Sequence, residues 1–257
     1  MNNKQRLHTA IRWKRFSRAH FAAFRSLHRE VQIGVLAVAM LATAGLKAQR
    51  QSTVQADAQT DGHRHICQTV QDGDLLFCIE HAEQGLSAAI ASVTQGADGA
   101  RVVHVAIACH HNQQPMVLEA TPSRGVTLTP LNQFLTEAEH DDSGMPLVMV
   151  ARLRDTLGVA ASVCRAHAYL GLPYDTLYMP DTREIYCSEL VQLSYQRPDD
   201  THIFPTIPMS FSDATGRIAP YWQQLYGSRG LEVPEGLAGT NPGQLSRDSA
   251  IYLLDLR

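Results

Sequence analysis

The 257-residue chain is 44% apolar and 18% charged, which is typical of an ordinary globular protein with a real core. Its length allows one large domain or two small ones. The formal charge of −3 is uneven, because residues 1–48 hold nine Lys and Arg against one acidic residue, whereas residues 49–257 hold 13 basic and 24 acidic residues. This acidic body argues against nucleic acid and against an anionic membrane surface as partners, since both need clustered cations.

The N-terminal segment explains the uneven charge. Met1–Arg29 is basic, Val31–Leu46 is an uncharged apolar run of 16 residues, and small residues follow up to Ala48. This order predicts a secretory signal peptide over residues 1–48, cleaved near Ala48. The run is short for a membrane span, which needs about 20 residues, although an uncleaved anchor stays the alternative. We therefore expect an exported protein, periplasmic or secreted, with no stable membrane partner after cleavage.

Residues 49–69 are predicted to form a linker, and residues 70–257 are predicted to form the domain. The linker contains an HxHxC string made by His63, His65 and Cys67. No second group of ligands stands at a matching spacing, so we expect structural or surface residues here and not a metal site. No cofactor is expected.

The first half of the domain alternates short elements. The pattern predicts strands over Leu75–Ile79, Arg101–Cys109 and Met116–Thr121, with a small helix over Ser87–Thr94. A turn at His110–Pro115 joins the second and third strands into a hairpin.

This hairpin allows a geometric prediction about His104 and Glu119. If the loop is centred between His111 and Asn112, His104 lies directly opposite Glu119, where Cβ atoms are about 5 Å apart. The carboxylate could then hold one nitrogen of the imidazole and stabilise its charged form. A slip of one residue would place the two on opposite faces, and a solvated pair on an outer face is the other interpretation.

The second half of the domain has fewer regular elements. Strands are predicted over Val126–Leu128 and Leu147–Leu153, and helices over Leu131–Ala138, Thr156–Leu170 and Thr215–Tyr226. After Gln196 the chain is rich in Pro and Gly, and we expect this tail to wrap the domain; it could line a cleft.

Cys187 begins a run with helical spacing of apolar residues. A cysteine in the first turn of a helix lies in the positive field of the helix dipole, which favours the nucleophilic thiolate. A buried structural cysteine is the alternative. The five cysteines are an odd number, so at least one thiol is unpaired within the chain. Disulfide pairing among the other four stays open: Cys67, Cys78, Cys109 and Cys164.

Several sequence blocks, in their order, resemble the YiiX/YebB-like cysteine hydrolases. This family belongs to the circularly permuted, papain-like branch of the NlpC/P60 superfamily. The order of His104 before Cys187 fits the permuted branch, and the resemblance covers roughly residues 70–246. The matching blocks are GDLLF (Gly73–Phe77), HVAI (His104–Ile107), VLEA (Val117–Ala120), YLGLPYD (Tyr169–Asp175), YMPDTREIYCSELV (Tyr178–Val191) and VPEGLAGTNPGQLS (Val233–Ser246).

The resemblance implies a fold and a set of roles. The fold would be of the α+β class, with an antiparallel sheet or a small barrel packed against helices. Cys187 would be the nucleophile, His104 the general base and later the acid, and Glu119 the residue that orients the imidazole. The backbone N–H of Cys187 could contribute to an oxyanion hole, and Tyr174 and Tyr186 are candidates for binding substrate.

Three functions compete at this stage. The first is an exported thiol amidase or peptidase that acts on a peptide or amide, with peptidoglycan as one candidate substrate by analogy. The second is a lipid acyltransferase or thioesterase that uses the same triad in an apolar cleft. The third is a non-catalytic binding module on this fold.

Overall fold

The computed structural model describes residues 61–180, 183–213 and 215–256. The predicted signal peptide and the part of the predicted linker before residue 61 lie outside the described residues. No helix among the described residues is long and apolar enough to cross a membrane.

A six-stranded antiparallel sheet organises the domain. Strands β1 to β5 and β8 form it in the order β4-β3-β2-β1-β5-β8, and β6 pairs with β7 in a separate ribbon. The strands are β1 Leu75–Ile79, β2 Val102–His111, β3 Gln114–Thr121, β4 Gly125–Pro130, β5 Val148–Leu153, β6 Ile207–Pro208, β7 Ala238–Gly239 and β8 Ile251–Leu253.

Helices pack against this sheet, which confirms the predicted α+β class. The first, α1, occupies residues 61–69 of the described chain. The others are α2 Gly85–Val93, α3 Leu131–Glu137, α4 Val159–Ala168, α5 Cys187–Ser194, α6 Pro220–Gly227 and α7 Pro242–Leu245. Every helix and strand predicted from the sequence is found, with its ends moved by a few residues.

Alternation along β2 separates two apolar clusters. Val105 and Ile107 belong to the larger cluster, which includes Leu190 of α5, whereas Ala106 belongs to the smaller one together with Phe134 of α3. Successive side chains of a strand point to opposite faces, so one strand contributes to both clusters. The central strand β2 thereby fixes the sheet between α5 and α3.

The predicted linker extends too far, because residues 61–69 form α1. Its residue Ile66 is 2% exposed and packs in the smaller apolar cluster, with Cys67 and Val70 beside it. These three residues follow His63 at spacings of three, four and seven, which is one face of a helix. This helical spacing is visible in the sequence, but the polar residues between the apolar positions make the pattern weak.

The hairpin register differs from the prediction by two residues. Ile107 pairs with Leu118 and His111 with Gln114, so the loop is centred between Asn112 and Gln113. Both loop residues have positive φ, 50° and 63°. This is the requirement of a two-residue type I′ turn, which matches the twist of the strands.

The corrected register keeps the essential geometry of His104 and Glu119. Continued along the strands, it places Ala106 opposite Glu119 and moves His104 to a diagonal position. A displacement of two residues retains the face, because the side-chain period of a strand is two. The diagonal distance is still within reach of a long side chain, and His104 and Glu119 do form a hydrogen bond.

Candidate active site

Cys187 is the first residue of α5 and is 3% exposed. Tyr186 precedes it in an extended conformation, with φ −92° and ψ 169°. The backbone N–H of Tyr186 donates to Glu189 Oε2 at 3.4 Å, so an acidic residue of the first turn helps to start the helix there. The first N–H groups of a helix have no partner within it, so the N–H of Cys187 has no acceptor within α5.

His104 on β2 donates to the carboxylate of Glu119 on β3. The distance from His104 Nε2 to Glu119 Oε2 is 2.9 Å. The second oxygen, Glu119 Oε1, accepts from Thr129 Oγ1 at 2.5 Å and from Arg124 Nη2 at 3.0 Å. The Glu119 side chain is 4% exposed, so three donors hold a buried carboxylate in one orientation.

The ring of His104 also interacts with the thiol of Cys187. Cys187 and Glu119 are the two groups whose interactions raise the pKa of His104. Because Nε2 is engaged by Glu119, Nδ1 is the nitrogen left for the sulfur. The structure therefore brings the sequence-predicted residues Cys187, His104 and Glu119 together in one cluster of interacting side chains.

Opposing effects determine the pKa of His104. Burial disfavours the imidazolium and alone would lower the pKa, but hydrogen bonds and attraction to Cys187 and Glu119 exceed it and raise the pKa from 6.5 to about 10. Burial would also raise the pKa of the Glu119 carboxyl. Its bonds to His104 and Thr129 and the charge of Arg124 lower it below its usual value instead. The geometry thus favours an imidazolium beside a carboxylate at neutral pH.

The other cysteines have different surroundings. Cys78 pairs across the sheet with His104 in register, and burial together with Glu119 raises its pKa well above the ordinary thiol value. Burial raises the pKa of Cys109 to about 12. Cys164 is exposed on α4, away from the sheet's centre, and all five cysteines are free thiols. Among the buried thiols, Cys187 is the one that lies at a helix start and raises the pKa of an imidazole.

Tyr174 and Tyr186 both line a cavity of about 50 Å³ beside Cys187. Tyr174 Oη lies 3.3 Å from Tyr178 Oη, and Tyr186 Oη accepts from the N–H of Thr240 at 3.1 Å. Burial raises the pKa of Tyr174 and of Tyr186. Their phenols stay protonated at neutral pH and can act as donors.

The sequence did not single out the aromatic residues that complete this cavity. Tyr178 packs edge-on against Trp222 with ring centroids 5.5 Å apart, and Phe211 packs against Trp222 at 5.2 Å. Met209 completes the wall. Three of these four residues belong to the tail after Gln196, which was expected to wrap the domain. This tail therefore reaches the cavity.

A second, wider cavity of about 260 Å³ lies on the His104 side. His104 and Glu119 line it together with Arg124, and Glu80 and Glu137 add negative charge. Tyr174 and Ile90 line both cavities. Cys187 therefore lines the narrow aromatic cavity, and His104 lines the wider charged one.

The HxHxC residues are not brought together. His63 Nε2 lies 3.3 Å from His140 Nε2, and His63 Nδ1 lies 3.1 Å from Asn132 Oδ1. His65 is exposed, because residues two apart on a helix point in different directions. In the described part of the chain, no group of three or more His, Cys, Asp or Glu side chains is placed to hold a metal ion.

Comparison with known families decides the assignment. Residues 69–254 match the model described as permuted papain-like amidase enzyme, YaeF/YiiX, C92 family. The chain belongs to this family. The resemblance drawn from the sequence blocks is confirmed, and the chain is a thiol-dependent hydrolase of the papain-like amidase class.

One solved structure supports the fold. The crystal structure of metalloprotein yiiX from Escherichia coli O157:H7 is 22% identical, with a TM-score of 0.58, and the match covers 72% of this chain and 96% of that one. At this identity the likeness concerns the fold alone. No curated protein matches the chain.

Proposed function

We propose that this chain is an exported cysteine amidase that cleaves a cell-wall peptide amide through Cys187, His104 and Glu119. The observation that carries the proposal is the series of hydrogen bonds from Thr129 and Arg124 through Glu119 to His104, which in turn interacts with a cysteine at a helix start. Nucleophile, base and orienting group in contact are the signature of activated-nucleophile catalysis.

The proposed reaction has two steps. The Cys187 thiolate attacks the amide carbon, and the backbone N–H groups at the start of α5 stabilise the oxyanion. The His104 imidazolium then donates its proton to the leaving nitrogen, the C–N bond breaks, and a thioester remains on Cys187. In the second step, neutral His104 takes a proton from water, the hydroxide attacks the thioester, and the carboxylic acid and the thiolate are released.

Export and the cell-wall substrate rest on other observations. The basic, apolar and small-residue order of residues 1–48 supports export. An exported amidase would meet the peptides of the cell wall, and the net acidic body offers little attraction to nucleic acid. Both points support a peptide substrate outside the cytoplasm.

The test compares wild type with Cys187→Ala on peptidoglycan-derived peptides and on unrelated peptide amides. Cys78→Ala is the matched control, because Cys78 is also buried near His104 but its thiol is held protonated. We expect Cys78→Ala to retain turnover and Cys187→Ala to lose it. Equal turnover by wild type and Cys187→Ala would contradict the mechanism, and turnover of other amides alone would contradict the cell-wall assignment.

Acyl transfer from a lipid is the second candidate, favoured by one observation. The cavity beside Cys187 is lined by aromatic and other uncharged side chains. Its volume of about 50 Å³ is far too small for a long acyl chain, however, since a single benzene needs about 150 Å³. Cys187-dependent release of fatty acid from phospholipid vesicles would favour this candidate over the amidase.

A further inference from the structure

The cavity lined by Cys187 and the cavity lined by His104 can be assigned to the two halves of a substrate. His104 lines the wider cavity, whereas the narrow aromatic cavity contains Cys187 without His104. In the proposed reaction the imidazolium must reach the leaving nitrogen, so the leaving group occupies the wider cavity. The acyl group, which stays on the sulfur, is then left with the narrow cavity.

The narrow cavity limits the size of that acyl group. Its volume is about 50 Å³, compared with about 150 Å³ for a cavity that holds benzene. Trp222 and Phe211, two of its aromatic walls, are themselves buried and pack edge to face. Packed aromatic walls resist expansion, so a short group fits and a long one does not.

Two buried polar groups in the wall of the narrow cavity are also without a hydrogen-bond partner among the described residues. Within the described residues, neither Trp222 Nε1 nor Ser188 Oγ has a hydrogen-bond partner. Trp222 is 2% exposed and Ser188 is fully buried, and both residues line the cavity. An indole N–H can only donate, and an unpaired buried donor is unfavourable. A ligand that offers an acceptor inside the cavity would satisfy it.

We propose that this cavity is the acyl subsite of the enzyme and selects a short acyl group, of about two to four carbons, that carries a hydrogen-bond acceptor. An alanine-sized residue meets the size limit, whereas leucine, phenylalanine and fatty acyl chains do not. The assignment of the subsite rests on the proposed function, because it needs Cys187 as the nucleophile. Met209 and Trp222 are the residues that set its length and its polarity.

The size limit is tested with p-nitrophenyl esters of increasing acyl length, from acetyl to octanoyl. Each ester acylates Cys187 and releases p-nitrophenol, and water then hydrolyses the thioester. We expect wild type to have its highest kcat/KM at propanoyl or butanoyl and to lose about tenfold or more by octanoyl, because one misplaced methylene already costs about that factor. Met209→Ala removes one wall and should move the optimum to a longer chain.

A matched control distinguishes a shift of the chain-length optimum from a general loss of core packing. Met149→Ala removes the same side chain from β5, where Met149 packs against the larger apolar cluster and lines neither cavity beside Cys187. It should lower stability without moving the length optimum. A flat or rising length profile in wild type, unchanged by Met209→Ala, would overturn the subsite while Cys187-dependent turnover upheld the proposed function.

The polar requirement is tested with Trp222→Phe, which keeps an aromatic ring but removes the N–H. Methoxyacetyl and butanoyl esters have the same number of chain atoms and differ in one acceptor oxygen, and each rate is divided by that of its alkaline hydrolysis. We expect wild type to prefer methoxyacetyl by about threefold to tenfold, the range of one neutral hydrogen bond, and Trp222→Phe to lose that preference. An unchanged preference in Trp222→Phe would overturn the role of the indole.

One outcome distinguishes failure of the function from failure of the subsite. If no ester is turned over faster by wild type than by Cys187→Ala, the proposed nucleophile is wrong, and the subsite assignment is overturned with it. If turnover depends on Cys187 but neither chain length nor the acceptor matters, only the subsite is overturned.

Discussion

The hairpin β2–β3 and the tail-built cavity contribute to the same site in different ways. The hairpin carries His104 and Glu119, fifteen residues apart, on one face of neighbouring strands. The cavity instead joins Tyr178 and Phe211, from irregular segments, to Trp222 of α6. The hairpin is held by backbone pairing of period two, whereas the cavity is held by aromatic packing and single hydrogen bonds.

This difference separates the chemistry of the site from its selectivity. Polar contacts at the hairpin set the charge of His104, and they continue through Glu119 to Arg124 and Thr129. Among the described residues that line the cavity, none has a charged side chain. Changes in the hairpin should therefore alter rate and pH dependence, and changes in the cavity should alter substrate choice.

Replacing Cys187 where the two regions meet should have the largest effect. Cys187→Ala removes the nucleophile, and we expect kcat/KM to fall by about 10⁴-fold or more. The measurement is hydrolysis of a short acyl ester and of a peptide amide. Cys78→Ala should lose less than about threefold, since its thiol is held protonated by burial; a larger loss there would break the distinction between the two buried thiols.

Removing the charge of Glu119 tests whether the hairpin supports the charged form of His104. Glu119→Gln keeps the size of the side chain, but one of the interactions that raise the pKa of His104 to about 10 is lost. Wild type should lose amide turnover as pH rises through about 10, where the imidazolium loses its proton. In Glu119→Gln that loss should occur at lower pH, and turnover at neutral pH should fall by about 10- to 100-fold.

The control for this prediction is the cavity variant Trp222→Phe. Its pH profile should superimpose on that of wild type, because Trp222 is not among the groups that shift the pKa of His104. A profile of Glu119→Gln that ends at the same alkaline pH as wild type would mean that the carboxylate does not support the charge of His104.

A smaller effect is expected from Thr129→Val. The variant removes one of the two other donors to Glu119 while keeping the shape of the side chain, and we expect kcat to fall by about threefold to tenfold. Thr127→Val is the matched control, because Thr127 pairs with Glu119 in the strand register and its hydroxyl is not among the donors that hold the carboxylate. Equal losses in both variants would point to the strand and not to the hydrogen bond.

The smallest effect on catalysis is expected from Tyr226→Phe, in the tail after Gln196. Tyr226 Oη donates to the carbonyl of Leu177 at 2.7 Å and ties α6 to the loop that carries Tyr178. Tyr226→Phe should lower the free energy of unfolding by about 1–2 kcal/mol, measured by urea denaturation, with the alkaline limit of activity unchanged. Tyr221→Phe in the same helix should cost less than about 0.5 kcal/mol, and a shifted alkaline limit in Tyr226→Phe would show that the two regions are coupled.

The sequence predicted the hairpin better than the cavity for a physical reason. Alternation of apolar and polar residues reveals strands, and two strands joined by a short turn must pair, so the contact of His104 with Glu119 followed even though the register was two residues off. The place of Cys187 beside them came from the family resemblance. No sequence periodicity indicates that Met209 and Trp222 lie beside Cys187. Packing between segments that are distant in sequence depends on the completed fold.

The most direct test of the central claim is site-resolved alkylation on a Cys164→Ser background, which removes the exposed thiol. Limiting iodoacetamide is added at about pH 7, and mass spectrometry identifies the modified cysteine. If Cys187 is a thiolate paired with the His104 imidazolium, it reacts before Cys67, Cys78 and Cys109, and His104→Ala slows its labelling at least about tenfold. Labelling of Cys187 that is no faster than that of Cys78, or that His104→Ala leaves unchanged, would contradict the account.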